Sequence, residues 1–472
     1  MRWSCLPLSA VLLVFTACIR VEHRRPDVPV PGQHRGDPDA PAVAAAAPGE
    51  PASLGELRWQ DLIRDEQLDA LIQEALAGNY EVQIAAARVL EAQARFTIAR
   101  SQRLPSVDAQ AGYTRLRSSE TGSTPLPPGY PPEYHYSRLA AGLSWELDFW
   151  GRARNAAAAA RAQLFASVEA QRVVVQSLVS EVAQNYFLLR DLDLEKEITQ
   201  RSLRAREESL DLVRMRVEGG YSSEIDLRQA EALVKSSRTA LIVIERQIVE
   251  TENNISFLLG RSPGPVPRGR PLLEMDVAAR LPAGLPSGLL ERRPDIRQAE
   301  QELVASEAEV AVARAAYFPV MSLTGAGGFE SNALRNLLRT SNNMWTVSPA
   351  GLLPIFTGGR VKAGVLAARA RQQQAMLRYR QAASQAFREV ADALAAYRKS
   401  TELREMQEGL AGSLRQAVEL ADLRYRGGVS SYLEYLDSER ELLDAELRLV
   451  RVRREELASI VTLYRALGGG WQ

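Results

Sequence analysis

Only three His and two Cys occur among 472 residues, and neither sign of charge prevails, since 58 Lys and Arg balance 58 Asp and Glu. That balance excludes the basic surface a nucleic-acid binder needs. So few His and Cys exclude most zinc and iron–sulfur chemistry. His23, His34 and His135 all lie in or beside stretches containing Pro or Gly, a poor scaffold for a metal site or a Ser–His–Asp triad. No constellation of His, Asp, Glu and Ser marks a catalytic pocket, so no enzyme activity, metal or dissociable cofactor is expected. Beyond the N-terminus no apolar run reaches the ~20 residues of a transmembrane helix. Ala, Leu, Arg, Glu and Gln are plentiful, and 46% of residues are hydrophobic, a composition of long helices.

Residues 1–17 read as a secretory signal peptide: Arg2 is the positive start, Leu6 to Phe15 the apolar core, and Thr16 and Ala17 the small residues before Cys18. The ending resembles a bacterial lipobox, with Phe15 where Leu is usual. Removal of Cys5 with the signal leaves Cys18 as the only mature cysteine, so there is no disulfide framework. Cys18 is therefore expected to carry a covalent N-terminal lipid. In lipoproteins of this kind an Asp after the Cys retains the protein in the inner membrane, so Ile19 points to the outer membrane. Residues 18–55 hold many Pro, Ala, Gly and charges and are expected to be a flexible tether.

The remainder is duplicated. RMRVEGGYSSEIDLRQAE from Arg214 parallels LRYRGGVSSYLEYLDSER from Leu423. Gly219 and Gly220 match Gly427 and Gly428 (427 − 219 = 208), and Arg216, Ser222, Ser223 and Glu231 match Arg424, Ser430, Ser431 and Glu439 at the same offset. Tyr80–Pro105 parallels Pro294–Pro319 at offset 214, and LDFWGR (147–152) parallels PIFTGGR (354–360). The division is a first repeat over 56–260, a linker over 261–293 and a second repeat over 294–472. Each repeat reads helix, strand, strand, long helix, turn, helix. The run from Arg152 to Val217 lacks Pro and Gly and would be about 100 Å long. Apolar residues recur every seven positions (Leu436, Leu443, Val450, Leu457, Tyr464, and Val182, Leu189, Leu203, Leu210, Val217), the period of left-handed supercoiling. Gly pairs end the long helices, and the Ser pairs are N-caps for the next ones, which places tips at 218–223 and 426–431.

Four strands are expected, at about 104–117, 136–149, 318–329 and 344–356. Leu139, Ala141, Leu143, Trp145 and Leu147 alternate with Arg138, Ala140, Gly142, Ser144 and Glu146, the period of a sheet with one apolar face. Aromatics gather at the strand ends (Tyr113, Tyr136, Trp145, Trp150, Phe318, Trp345), as in the girdles of membrane barrels. Four strands cannot close a barrel, and open edges are not tolerated in lipid. Three copies would give about twelve strands, an allowed even number.

The motifs LLERRPDIRQAEQELVASEAEVAVARAAYFP (289–319), SWELDFWGRARNA (144–156), LLPIFTGGRVKAG (352–364), DLRYRGGVSSYLEYLDSER (422–440) and LYRALGGGWQ (463–472), with WQDLIRDEQLDALIQEALAGN (59–79), carry a resemblance. The chain resembles the TolC/OprM-like outer-membrane channel proteins of tripartite efflux pumps, and among them the NodT-type lipoproteins. The resemblance implies an α+β membrane protein. It would be a homotrimer, with a transmembrane β-barrel to which each protomer gives four strands, and a long α-helical coiled-coil barrel in the periplasm. The implied function is a passive, gated exit duct for small molecules. An inner-membrane RND-type pump would drive it through a periplasmic adaptor protein, and outer-membrane lipid would surround the barrel. It further implies a periplasmic gate at Leu433, Asp437 and Arg440, which spacings of four and three put on one helix face. The first repeat has Ile225 and Gln229 where the second has Leu433 and Asp437, so the two turns differ. The tips Gly219, Gly220, Ser222, Ser223, Gly427, Gly428, Ser430 and Ser431 are implied adaptor-docking points. RPDIR reads as structural, with Pro294 in a first helical turn and Asp295 at the positive helix end. The alternatives are a soluble periplasmic coiled-coil adaptor and an outer-membrane duct for protein secretion.

Overall fold

The computed structural model describes residues 23–32, 35, 53–119, 127, 129, 131–275 and 286–470. The signal segment, Cys18 and His34 lie outside the described residues. The helices are α1 (Trp59–Leu62), α2 (Glu66–Gly78), α3 (Tyr80–Ser101), α4 (Arg152–Glu218), α5 (Glu224–Leu258), α6 (Pro286–Arg292), α7 (Pro294–Ala315), α8 (Arg360–Arg426) and α9 (Tyr432–Ala466). The strands are β1 (Ser106–Arg117), β2 (Glu133–Leu147), β3 (Val320–Ser331) and β4 (Asn343–Leu352). The repeat lengths agree: α4 and α8 each have 67 residues, α5 and α9 each 35, and α3 and α7 each 22. Chance similarity of helical sequences does not give such a match. Among the described residues no helix is long and apolar enough to cross a membrane.

Two compact units are present. One comprises Met1–Pro26, Val89–Ser167 and Ala299–Tyr379; the other comprises Asp27–Arg88, Val168–Gln298 and Arg380–Gln472. Each unit draws on both repeats, so a repeat is not a compact unit. The first contains the sheet, antiparallel throughout, in the order β1-β2-β3-β4. Ala109 pairs with Ala141, Leu143 with Val107 and Gly325, and Gly325 with Val347. Successive side chains alternate between faces, so this register gathers Val107, Leu143, Leu323, Phe329, Trp345 and Val347 on one face. Asp108, Gln110, Ser144, Glu146, Thr324 and Ser348 fall on the other. β1 and β4 are the edges of this sheet, with no further strand beside them among the described residues.

Proline explains why the strands differ from their expected limits. Pro105 and Pro319 precede β1 and β3, and Tyr317 and Phe318 belong to the helical turn before β3, donating to the carbonyls of Arg314 and Ala315. Pro354 has no N–H to give a ladder, so β4 stops at Leu352 and leaves Ile355 and Phe356 exposed. β2 starts early because Glu133 pairs with Arg117 in register and accepts from Arg115 at 3.0 Å. Below the sheet Trp150 stacks on Phe318 at 4.7 Å, and its indole N–H donates to the carbonyl of Pro319 at 2.8 Å. The expected tether is fixed in part. His23 lies 2.9 Å from Glu307, and Arg25 donates two hydrogen bonds to Glu300. At its other end Leu54 is fully buried.

The second unit holds the main core, in which Tyr186, Phe187, Leu189, Ile255 and Leu457 are fully buried. Asp65 caps α2 through the N–H groups of Gln67 and Leu68. It also accepts from the Tyr186 hydroxyl and the Arg270 N–H. This ties part of the linker, whose Leu272 and Met275 are buried. The duplication appears again at the helix ends. Asn79 donates to the carbonyl of Leu258 at 2.8 Å, and Arg293 donates to the carbonyl of Ala466 at 2.9 Å. Asn79 thus closes the last helix of the first repeat, and Arg293, the final residue of the linker, that of the second. Arg293 also bonds Asp295 and Glu389 at 2.7 Å each. RPDIR is therefore structural chiefly through its first Arg, Arg293.

Replacing Arg293 by Ala should cost about 3 kcal/mol, the low end for breaking a buried ion pair, because Asp295 and Glu389 keep 35% and 31% exposure. A shift of the denaturant unfolding midpoint at unchanged slope would show it.

Candidate functional site

Both helix ends at the tips turn in the same way. Gly220 and Gly428 have φ of 76° and 73°, a left-handed conformation that costs other residues about 1–2 kcal/mol. The N–H of Tyr221 donates to the carbonyl of Arg216, and that of Val429 to the carbonyl of Arg424. This is the Schellman closure of a helix. In that motif the residue after the glycine usually packs back on its helix. Here Tyr221 and Val429 are 87% and 71% exposed, so each tip presents an apolar side chain to its surroundings.

The Ser pairs divide their work. Ser223 caps α5 by accepting from the Asp226 N–H, and Asp226 accepts in return from the Ser223 N–H at 3.0 Å and the Ser222 hydroxyl at 2.9 Å. The first of these bonds holds the Asp226 carboxyl below its ordinary pKa. Ser431 caps α9 through the Glu434 N–H at 3.4 Å. The buried Ser430 hydroxyl has no partner. Only the second Ser of each pair is thus an N-cap, because the first lies before the point at which the helix N–H groups converge.

Past the second tip α9 has two faces. Leu433, Asp437 and Arg440 share the exposed one, at 63%, 59% and 64%. Arg440 and Asp437 form an ion pair of 2.8 Å. An exposed pair of this spacing is worth ~0.2–0.5 kcal/mol, so within one chain it holds little. On the other face Tyr432 and Tyr435 are buried with Tyr425, and burial pushes the Tyr435 hydroxyl up to about 12. The Tyr432 and Ser209 hydroxyls are 3.1 Å apart, and the Arg216 guanidinium lies 4.4 Å from the centre of the Tyr425 ring. The two tips are joined through this cluster.

Beneath the cluster lie ion pairs that the match of Glu231 with Glu439 does not by itself reveal. Arg206 and Glu439, with side chains 8% and 10% exposed, pair at 3.1 Å. Arg206 also donates to Ser237, and Glu439 accepts from Ser202. Arg201 and Arg415 both pair with Glu446. A signal was present: Glu439, Glu446 and Arg453 follow Leu436, Leu443 and Val450 by three positions, the second core slot of each heptad. Charges in such slots must find partners on the helices they face.

A family model described as Outer membrane efflux protein matches residues 71–261 and 285–469. The chain is 33% identical over 478 residues to the solvent efflux pump outer membrane protein SrpC of Pseudomonas putida, covering all of this chain and 99% of that one. It is 34% identical over 470 residues to the cation efflux system protein CusC of Escherichia coli O6:H1, covering 99% and 98%. Its fold matches the crystal structure of the open state of the Neisseria gonorrhoeae MtrE outer membrane channel with a TM-score of 0.86 at 32% identity, covering 96% and 99%.

Ser223→Ala should destabilise the α5 start by about 1 kcal/mol, whereas Ser430→Ala removes a hydroxyl that bonds nothing and should be neutral or stabilising. Hydrogen exchange of the tip amides separates the two. Gly428→Ala should cost about 1–2 kcal/mol from backbone strain alone, since nothing lies within 4 Å of the added carbon.

Proposed function

The chain belongs to the outer membrane efflux protein family, and on that premise we propose that three copies form a passive, gated duct carrying small molecules from the periplasm across the outer membrane. The observation that carries this reading is the sheet. Its register puts the apolar side chains of four strands on one face, and its two edges are unpaired. Unpaired edges cannot stay in lipid, so β1 of one copy must meet β4 of the next. Three copies close at about twelve strands, with the apolar face to the lipid and the Ser, Thr and Asp face to a watery lumen.

The long helices carry charge along their length and stay in the periplasm. The duct catalyses nothing; an inner-membrane pump of the RND type supplies the energy, and a periplasmic adaptor links pump to duct. The tips 219–223 and 427–431 are its docking points, with Tyr221 and Val429 as exposed anchors. At the gate, threefold repetition would turn Leu433 and Asp437 into rings, one closing by dewetting and the other selecting by charge. The Asp437–Arg440 pair, weak in one chain, gains importance when three copies crowd it around an axis. A lipid on Cys18 adds a second hold on the outer membrane. Relatives of almost equal identity are named for solvents and for cations, so the choice of cargo rests with the pump.

Single-channel recording in a planar bilayer tests the gate. Wild type should open rarely or narrowly, and the double substitution Asp437→Ala, Arg440→Ala should open more often or wider. Equal traces would place the gate elsewhere, and folded trimers that never insert would remove the duct reading. The sheet has its own test. Leu143→Arg on the lipid-facing side should cost about 2–4 kcal/mol per protomer near the bilayer midplane and lower the yield of inserted trimer. Ser144→Arg, one residue on but facing the lumen, should insert normally.

A further inference from the structure

A cleft of ≈ 450 Å³ lies between α4, α5 and α9, apart from the tip and gate residues, and Asp191 lines it. The Asp191 side chain is only 4% exposed. Its Oδ2 accepts from the Arg454 Nε–H at 2.7 Å, while its Oδ1 is buried with no partner. A buried acceptor left unbonded costs its full desolvation, and more so when charged. The other charges facing the cleft are Glu195 on α4, Glu250 on α5, and Arg451 and Arg454 on α9. Glu195 is already bound to Arg451 at 2.8 Å. Glu250 is paired outside the cleft with Arg246, at 3.6 Å, so the buried Oδ1 of Asp191 is the carboxylate oxygen left unfilled at its centre. The Asn254 amide donates to Asn185 at 2.7 Å, which leaves the Asn254 carbonyl oxygen as a further acceptor at the cleft.

The feature is not a by-product of the duplication. At offset 208 the second repeat has Lys399 and Leu403 in place of Asp191 and Glu195, and Val243 stands in the first repeat where Arg451 stands in the second. We propose that this cleft binds a small organic cation with N–H donors, a guanidinium or a primary alkylammonium, anchored on Asp191 Oδ1. A divalent metal fits poorly, because two guanidiniums border the cleft and already bind its Asp191 and Glu195 carboxylates. Water could donate to the Asp191 Oδ1 but would bring no positive charge to a buried carboxylate. Burial first, and the Glu195 carboxylate second, push the Asp191 carboxyl up to about 6. A cation that needs the carboxylate must therefore bind less well as the pH falls through that value.

The test uses the full-length, detergent-solubilised assembly and isothermal titration with methylguanidinium chloride at pH 7.5. Tetramethylammonium chloride, which has no N–H donor, is the control. Saturable binding of methylguanidinium alone is expected, weakening by pH 5. It should fall about ten- to hundredfold in Asp191→Asn, the usual loss for a charge-assisted hydrogen bond. Asn254→Leu should weaken it less, and it keeps the experiment decisive if the first variant does not fold. Equal binding of both cations, no binding to folded wild type, or unchanged binding in both variants would each overturn the site. Asp191→Asn should also melt at higher temperature than wild type at pH 7.5. The raised native pKa means that the ionised form burdens the fold, a burden absent below about pH 4 and complete above about pH 6.

Discussion

The unpaired edges of the four-stranded sheet govern the rest of this molecule. A backbone N–H or C=O without a partner in hydrocarbon costs several kcal/mol, and each edge strand presents a row of them. The apolar face directs the sheet toward lipid, where these edges cannot remain open. The chain therefore completes its architecture only with further copies of itself. Pro349, paired with Leu323 in β4, has no N–H to give to a ladder and is the weak point of the strand that another copy must meet.

A second constraint acts on α9, which meets two environments at once. Tyr432, Tyr435 and Glu439 face the neighbouring helices, while Leu433, Asp437 and Arg440 face away. The buried face joins the two hairpins by a charged pair, Arg206 with Glu439, where an apolar contact would have been simpler. Buried pairs of this kind fix register more dependably than they add stability. One register matters here, because a shift of α9 by a single residue would turn the face that Leu433 and Asp437 share by about 100°.

The duplication gives both hairpins one geometry, and the departures from it are informative. The helix-closing role of Asn79 passes to Arg293, which adds a buried charge and two carboxylate partners. The first tip is braced by Asp226, whereas the matching Glu434 pairs with Arg424 instead. The first repeat alone carries Asp191 and Glu195. Equal lengths preserve the scaffold while single positions separate the uses of its two halves.

The sequence alone determined the elements and their order. Period two and period seven, the Gly pairs and the matching offsets all act over neighbouring residues, where local sterics and hydrogen bonding decide the outcome. It also set which strand residues share a face, since alternation follows from the pleat. Strand limits were legible only to within the nearest proline. The tertiary structure decided the rest: that each compact unit mixes both repeats, that His23 and Arg25 bind α7, that only one Ser of each pair caps, and that charges in heptad slots pair across helices. It alone revealed the free oxygen of Asp191. A charged residue reads the same in sequence whether water or a guanidinium solvates it, and what surrounds it is set by chains hundreds of residues away.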